Sequence, residues 1–205
     1  MLATFLQLYK VTPRVYETWL NALRASAAST KLWLLEFPPM GARHLAQHAA
    51  AAGVHVGRLL RARTAERTFH LARVALADLV LDTTPYSGHT TTGDALWMGT
   101  PVLSLPSEMM QSRIAAGYAA NAGCPQPRAD SLRAYEATAV DVATRPAAAT
   151  TMRTCLAKGR WTRAAFDTAR WVGAFDEGAR LIWEVHRHGL QPMHVLLPAR
   201  HMMGG

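Results

Sequence analysis

The feature that most constrains the fold is a strand-like apolar run followed by a glycine-containing turn and a threonine-rich segment. Residues 77–82 (ADLVLD) are almost continuously apolar, which predicts a buried strand of a parallel sheet. In the turn at residues 83–88, Pro85 fixes its own φ, and Gly88 is free to adopt a positive φ. Residues 89–97 (HTTTGDALW) then predict the first turns of a helix, with threonine hydroxyls as its caps.

A strand, a turn and a helix in this order can form an anion site. The first backbone N–H groups of a helix have no partner inside the helix and carry the positive end of its dipole. A diphosphate bound there would accept hydrogen bonds from those N–H groups and from the threonine hydroxyls. The same residues also allow an ordinary threonine-capped helix without a ligand, so this stretch alone leaves both interpretations open.

Strand and helix patterns alternate along the chain. Strands are predicted at residues 31–37, 58–62, 77–82 and 101–106, and helices from residue 13 and at 42–52, 68–75, 89–97, 112–121, 131–144, 146–158 and 167–187. Residues 5–10 are predicted to be an amphipathic lead-in, and Thr12 and Thr64 to be helix N-caps. This order predicts an α/β fold, a Rossmann-like doubly wound parallel sheet with helices on both faces. Ligands of such sheets bind beyond the carboxyl ends of the strands.

The composition of the chain bears on its binding partners and on the compartment in which we expect it. A formal net charge of +8 would suit nucleic acid, but the arginines are scattered singly and no basic run is interleaved with aromatic residues, so we expect no such partner. No run reaches about 18 apolar residues, so we expect no membrane span. Cys124 and Cys155 are too few and too far apart for a disulfide framework or a zinc site, and we expect two reduced thiols in a cytosolic-type compartment.

Five short motifs carry a resemblance to a known family. They are QLYK at residues 7–10, LWLL at 32–35, LDT at 81–83, GHTT at 88–91 and DALWMGTP at 94–101. In this order the chain resembles the C-terminal half of the catalytic region of protein O-GlcNAc transferases, the SPINDLY-like family of GT-B glycosyltransferases. The likeness runs from about residue 5 to residue 121 and continues more loosely to residue 183. It implies the C-terminal, donor-binding lobe of a GT-B enzyme.

The resemblance also implies a role for ten residues. Gln7 and the catalytic Lys10 would reach the phosphates of UDP-GlcNAc. The turn that binds the diphosphate would include His89, Thr90 and Thr91, and Asp94 would hold the ribose hydroxyls. The uridine would be surrounded by Ala65, Arg67, His70 and Arg73. A lysine beside the bridging oxygen stabilises departing UDP, and Arg73 could stack flat on the uracil ring. Arg67 stands where family members often have lysine, which keeps the charge but changes its geometry.

The implied reaction is transfer of GlcNAc from UDP-GlcNAc to a Ser or Thr hydroxyl of a protein, with inversion at the anomeric carbon. The sequence has no Asp-x-Asp pair for a divalent metal. This agrees with a family that uses no metal and no other cofactor, in which Lys10 and the helix N-terminus carry the charge. Two alternatives stay open, a SPINDLY-type O-fucosyltransferase that uses GDP-fucose and a non-catalytic nucleotide-binding module. His89 before the threonines favours the GlcNAc branch.

The expected organisation has three parts: a nucleotide-sugar-binding lobe at residues 1–165, a helix at 166–188 that packs on the lobe or lobes, and a tail at 189–205. The aromatic residues Trp171, Phe175 and Trp183 are expected to be core residues or anchors between lobes. The family's N-terminal lobe, with its proposed catalytic histidine, and the helical repeats that bind protein substrates have no counterpart in this sequence. We therefore expect a fragment that is inactive alone and belongs to a protein of the cytoplasm or nucleus.

Overall fold

The computed structural model describes residues 1–124 and 127–197. In this part of the chain, one sheet contains five parallel strands. They are β1 (Leu2–Thr4), β2 (Leu32–Leu35), β3 (Leu59–Ala62), β4 (Leu79–Leu81) and β5 (Val102–Leu103). The spatial order is β3-β2-β1-β4-β5, so the chain winds outward from β1 in one direction and from β4 in the other. The predicted α/β fold with a doubly wound parallel sheet is therefore confirmed.

Helices cover both faces of this sheet. They are α1 (Pro13–Arg24), α2 (Pro39–Ala51), α3 (Arg67–Val74), α4 (Thr90–Trp97), α5 (Met110–Asn121), α6 (Leu132–Thr144), α7 (Pro146–Gly159) and α8 (Thr168–Arg187). Successive strand residues point to opposite faces. Leu79 and Leu81 therefore pack into a core with α1 and α6, whereas Val80 packs into a second core with α3, α4, α5 and α7. Burial on both faces explains why the strands are nearly continuous apolar runs.

The central strand is the element that the sequence prediction misses. The lead-in expected at residues 5–10 follows a strand, β1, that pairs with β2 on one side and β4 on the other. All three residues of β1 are buried. A run of three residues is too short to show the alternation by which a strand is identified in a sequence. The chain then forms a 3-10 turn at Leu8–Lys10.

Two of the expected helix caps are wrong. Thr12 caps α1 as predicted, because its hydroxyl accepts a hydrogen bond from a backbone N–H of the first turn. Thr64 does not cap α3, since Glu66 occupies the N-cap position. At α4 the N-cap is His89, which makes no side-chain cap hydrogen bond, and the threonines lie inside the first turn of the helix. Their hydroxyls are therefore not used as the cap.

Cys124 and Cys155 form a disulfide, contrary to the expected pair of reduced thiols. Cys124 lies in the turn after α5, and Cys155 lies on α7, which packs into the same core. Their Cα atoms are 5.9 Å apart although 31 positions separate them in the sequence. Because the two cysteines are far apart in the sequence, their proximity in the fold could not be predicted from it.

Helix α8 belongs to neither core. Trp171, Phe175 and Trp183 are 60–62% exposed, and no residue of the helix is buried. The expectation that these aromatic residues are core residues is therefore wrong. That they pack between lobes stays a prediction, and so do the boundaries of the three expected segments.

No helix in the described residues is both long and apolar enough to cross a lipid bilayer. Residues 189–197 contain no helix or strand, and residues 198–205 of the expected tail lie outside the described residues.

Tyr135 of α6 provides a test of how the helices are fixed to the sheet. Its buried hydroxyl donates a hydrogen bond to the Asp82 carbonyl (2.7 Å) and accepts one from the Trp19 indole N–H (3.4 Å). Tyr135→Phe leaves the buried carbonyl without this donor, so we expect the free energy of unfolding in urea to fall by about 1–3 kcal/mol. Tyr9→Phe, at a ring that is 69% exposed, is the control. Equal losses in both variants would contradict this packing.

Candidate functional site

A cavity of about 480 Å³ lies at the carboxyl end of the sheet, where the winding direction changes between β1 and β4. The chain leaves β1 for a helix on one face and leaves β4 for a helix on the other face. The space between two such diverging connections is the usual ligand site of a doubly wound sheet. Its walls come from the turn after β1, the segment before α3, α3 itself and the first turn of α4.

Eight of the ten predicted site residues line this cavity. They are Gln7, Lys10, Ala65, His70, Arg73, His89, Thr90 and Thr91. The other two, Arg67 and Asp94, form an ion pair between α3 and α4 in which Arg67 Nη2 lies 2.8 Å from Asp94 Oδ1. The fold thus brings the predicted set together in space, while the role of each residue stays a prediction.

Lys10 reaches from the turn after β1 to the turn before α4. Its Nζ donates a hydrogen bond to the Ser87 carbonyl (3.1 Å) and lies 4.0 Å from the centre of the Tyr86 ring. Partial burial lowers the pKa of Lys10 from its ordinary value, and the nearby Asp82 carboxyl opposes this shift. The ammonium is therefore held, partly desolvated, beside the positive end of the α4 dipole, and both features favour an anion.

Gly88 is required by close packing and not by a positive φ. Among the described glycines, positive φ angles occur at residues 53, 99, 123 and 189, so Gly88 does not use its freedom to adopt one. A Cβ atom at Gly88 would lie 2.5 Å from Thr92 Oγ1 and 3.0 Å from Thr91 Oγ1. Because glycine has no side chain, the turn can lie directly against the threonine hydroxyls at the start of α4.

Sequence reasoning missed Tyr86, whose ring lies against two of the predicted site residues. The ring stacks on the His89 imidazole with their centres 5.3 Å apart and their planes 17° apart, and it also contacts the Lys10 ammonium. The Nε2 atom of His89 is buried and has no hydrogen-bond partner within the protein. Tyr86 could have been identified from its position in the sequence, because it is the aromatic residue of the predicted anion-binding turn.

Arg73 contacts the cavity wall but is engaged mainly with protein groups. It is 6% exposed, its guanidinium lies 5.0 Å over the Phe5 ring, and it donates hydrogen bonds to the Arg63 carbonyl (2.6 Å) and to His70 Nδ1 (3.1 Å). Because a guanidinium can only donate, His70 must carry its proton on Nε2. Burial, followed by the charge of Arg73, lowers the pKa of His70. His70 is therefore a neutral hydrogen-bond donor in the wall of the cavity.

The Asp94 carboxylate retains capacity for a ligand despite its ion pair. Its side chain is 14% exposed, whereas that of Arg67 is 75% exposed. A carboxylate offers about four acceptor positions, and Arg67 uses one oxygen. An exposed partner of this kind contributes little to stability and can move aside. The pair is therefore compatible with the predicted ribose contact.

A second cavity, of about 570 Å³, lies between α5 and α8 but lacks comparable chemistry. Its walls are mainly apolar, and the Asp167 carboxylate in it caps α8 by accepting from the Arg170 N–H (2.9 Å). Within residues 1–124 and 127–197, no group of three His, Cys, Asp or Glu side chains is arranged to bind a metal ion. The cavity beside β1 and β4, with its cation and helix N-terminus, is therefore the candidate site.

Comparison with known proteins gives concordant results. The sequence model of glycosyl transferase family 41 matches residues 1–175. The chain is 36% identical over 193 residues to the probable UDP-N-acetylglucosamine–peptide N-acetylglucosaminyltransferase SEC of Arabidopsis thaliana, covering 94% of this chain and 20% of that protein. It is 30% identical over 191 residues to the corresponding Caenorhabditis elegans enzyme, covering 93% of this chain and 16% of that protein. The chain thus spans a fifth or less of these relatives.

Solved structures share the fold. A mutant O-GlcNAc transferase of Thermobaculum terrenum superposes with a TM-score of 0.81 at 25% identity, covering 89% of this chain and 35% of that one. The Anabaena HepE protein, solved in complex with UDP and glucose, superposes with a TM-score of 0.61 at 12% identity, covering 86% of this chain and 48% of that one. The Rossmann-like lobe expected of a GT-B glycosyltransferase is therefore confirmed as the fold.

The contact between Arg73 and His70 gives a prediction for NMR. In Arg73→Met the nearby positive charge is removed, so we expect the pKa of His70 to rise above its wild-type value. Long-range proton–nitrogen spectra should show the Nε2-protonated tautomer in the wild type. Arg43→Met, at an exposed arginine of α2, should leave the His70 titration unchanged. An unaltered pKa in Arg73→Met, or a wild-type proton on Nδ1, would contradict the assigned hydrogen bond.

Proposed function

The chain belongs to glycosyl transferase family 41, and on that premise we propose that it is the donor-binding lobe of a protein O-GlcNAc transferase. The two relatives are named as enzymes that transfer N-acetylglucosamine from its UDP derivative to peptides. Their names support UDP-GlcNAc as the donor and a peptide as the acceptor. We propose that a Ser or Thr hydroxyl of a protein is the group that accepts the sugar.

The observation that carries this proposal is the position of Lys10 beside the first turn of α4. Its Nζ lies within hydrogen-bond distance of Ser87, directly before the turn that leads into Thr90 and Thr91. A diphosphate in the adjoining cavity would meet the free N–H groups of the helix on one side and the ammonium on the other. The buried Nε2 atom of His89, which has no partner in the protein, adds a further polar contact.

These groups suit stabilisation of a leaving group. In the proposed transfer, the acceptor hydroxyl gives its proton to a base and its oxygen forms a bond to the anomeric carbon. The bond from that carbon to the diphosphate breaks, and UDP leaves with the electron pair. Negative charge then grows on the diphosphate oxygen. Lys10 and the first turn of α4 line the cavity in which this oxygen would lie. Charged and polar groups that are positioned before the reaction are the condition for effective electrostatic catalysis. We propose that this charge stabilisation requires no metal ion.

The uridine would occupy the part of the cavity beside α3. His70, fixed as an Nε2–H donor by Arg73, can donate to a carbonyl oxygen of the base. The contacts of Arg73 with Phe5 and His70 leave only one face of its guanidinium for the predicted stacking on uracil. We therefore assign Arg73 chiefly to positioning His70. Asp94, one helical turn after Thr90, would accept from the ribose hydroxyls.

The proposed transfer requires protein groups from outside this lobe. The acceptor base and the acceptor site would come from another lobe of the longer protein, as the low coverage of the relatives suggests. The exposed face of α8, which includes Trp171, Phe175 and Ile182, is the surface that we expect such a lobe to cover.

We propose the cytoplasm or nucleus as the compartment in which the protein acts. The disulfide between Cys124 and Cys155 argues against this proposal, because a reducing compartment would hold both residues as thiols. The state of this cysteine pair in protein taken from cells would therefore report on the compartment.

Nucleotide binding provides the first test of the proposed function. By titration calorimetry we expect the chain to bind UDP in preference to GDP. Lys10→Ala should weaken UDP binding by about tenfold or more, and Thr91→Ala by about fivefold, since they remove a charged and a neutral hydrogen-bond donor. Lys158→Ala and Thr154→Ala, at exposed positions of α7, are the matched controls. Undiminished affinity in both site variants would reject the site, and a preference for GDP would favour the fucosyl branch.

The ring of Tyr86 gives a second test of the same site. Tyr86→Leu removes both the contact with the Lys10 ammonium and the stacking on His89. Because exposed cation–π contacts contribute about 0.5–1 kcal/mol, UDP affinity should fall about two- to fivefold. Tyr86→Phe keeps the ring and should bind as the wild type does. A loss in the Phe variant as large as in the Leu variant would show that the hydroxyl, and not the ring, is responsible.

A further inference from the structure

A buried carboxyl group lies directly behind the turn that the donor diphosphate would face. Asp82 follows β4 and is 2% exposed. Its Oδ1 accepts a hydrogen bond from the Gly88 N–H (2.6 Å), and its backbone carbonyl accepts one from the Tyr135 hydroxyl (2.7 Å). The carboxyl thus connects the two ends of the turn at residues 83–88, and Asp82 is not among the residues that line the candidate cavity.

The second carboxyl oxygen of Asp82 has no hydrogen-bond partner in the protein although it is buried. Asp82 also lines a cavity of about 10 Å³, together with Thr91, Thr92 and His70. An ionised carboxylate in these surroundings loses hydration on an oxygen that no protein donor contacts. Burial therefore raises the pKa of Asp82 to about 7, against the opposing effects of the backbone N–H groups of Gly88 and Thr83 and of the Lys10 charge.

The other groups around Asp82 leave Lys10 as its main electrostatic partner. From α6, Tyr135 faces it, and burial raises the pKa of that phenol well above its ordinary value, so the phenol is neutral. From α3, His70 and Arg73 lie nearby, with the pKa of His70 lowered by burial and by Arg73. His89 follows the turn as the N-cap of α4. The Lys10 ammonium is the cation whose charge stabilises the Asp82 carboxylate.

We propose that Asp82 is a positioning residue that takes up one proton from solvent when the diphosphate of a nucleotide sugar binds at the start of α4. The bound diphosphate would share the Lys10 ammonium with Asp82 and would place like charge on the other side of Gly88. Both changes disfavour the carboxylate and favour the neutral acid. The neutral acid still accepts the Gly88 N–H on one oxygen, and its new O–H can donate to a threonine hydroxyl across the small cavity.

This inference rests on the proposed function, and proton uptake on binding tests it. The probe is UDP-GlcNAc, because its diphosphate is esterified at both ends and has no phosphate group that titrates near pH 7. Calorimetry near pH 7.5 in two buffers of different ionisation enthalpy measures the protons taken up. We expect uptake of a substantial fraction of one proton. We also expect affinity to fall, by up to about tenfold per pH unit, as the pH rises through and above the pKa of Asp82.

Asp82→Asn isolates the contribution of this carboxyl. The amide oxygen can still accept the Gly88 N–H, but the side chain cannot titrate. We expect this variant to bind UDP-GlcNAc without proton uptake and with an affinity that varies little between about pH 6.5 and 8.5. Asp130→Asn, at an exposed carboxyl, should retain the proton uptake and the pH dependence of the wild type.

Three results would overturn the coupling. Binding by the wild type without proton uptake would reject it, and so would undiminished uptake in Asp82→Asn. If the variant does not fold, infrared difference spectra of the wild type test the coupling instead. Binding of UDP-GlcNAc must then produce the C=O band of a protonated carboxyl. Absence of that band would also reject the coupling. A wild type that binds no UDP-GlcNAc at any pH would instead reject the proposed function together with this inference.

Discussion

The pairing of β1 with β4 at the centre of the sheet is the constraint on which the candidate site depends. Lys10 and Ser87 are 77 positions apart, yet they come within hydrogen-bond distance because they follow these two neighbouring strands. The chain leaves β1 and β4 toward opposite faces, so neither connecting helix covers the space between their carboxyl ends. A cation on one side and a helix N-terminus on the other then converge on the same cavity.

The charges around this cavity favour the binding of an anion. The Lys10 ammonium is held by a carbonyl and an aromatic ring, and the nearest carboxyl, Asp82, is buried behind the turn. These contacts position the cation without neutralising it by a direct ion pair. Gly88 allows the turn to approach the threonine hydroxyls of α4 closely. The site is thus organised before a ligand binds, which reduces the cost of ordering it on binding.

Local signatures of buried strands and helix starts could predict the alternation of strands and helices, whereas the set of residues around the cavity was what the family resemblance implied. It could not reveal β1, whose three residues show no period, or the Cys124–Cys155 pair, which depends on how α7 packs. The surroundings of Gly88, Tyr86 and Arg73 in the fold also escaped prediction. Each depends on contacts across the fold, with α4, with Lys10 or with Phe5. Such contacts become visible only once the sheet order is known.

A structure of this chain determined with UDP bound would test the central claim most directly. The account predicts that the diphosphate lies between the Lys10 ammonium and the backbone N–H groups of Thr90 and Thr91, with the uracil beside His70. A nucleotide bound in the apolar cavity between α5 and α8, or a diphosphate remote from Lys10, would contradict it.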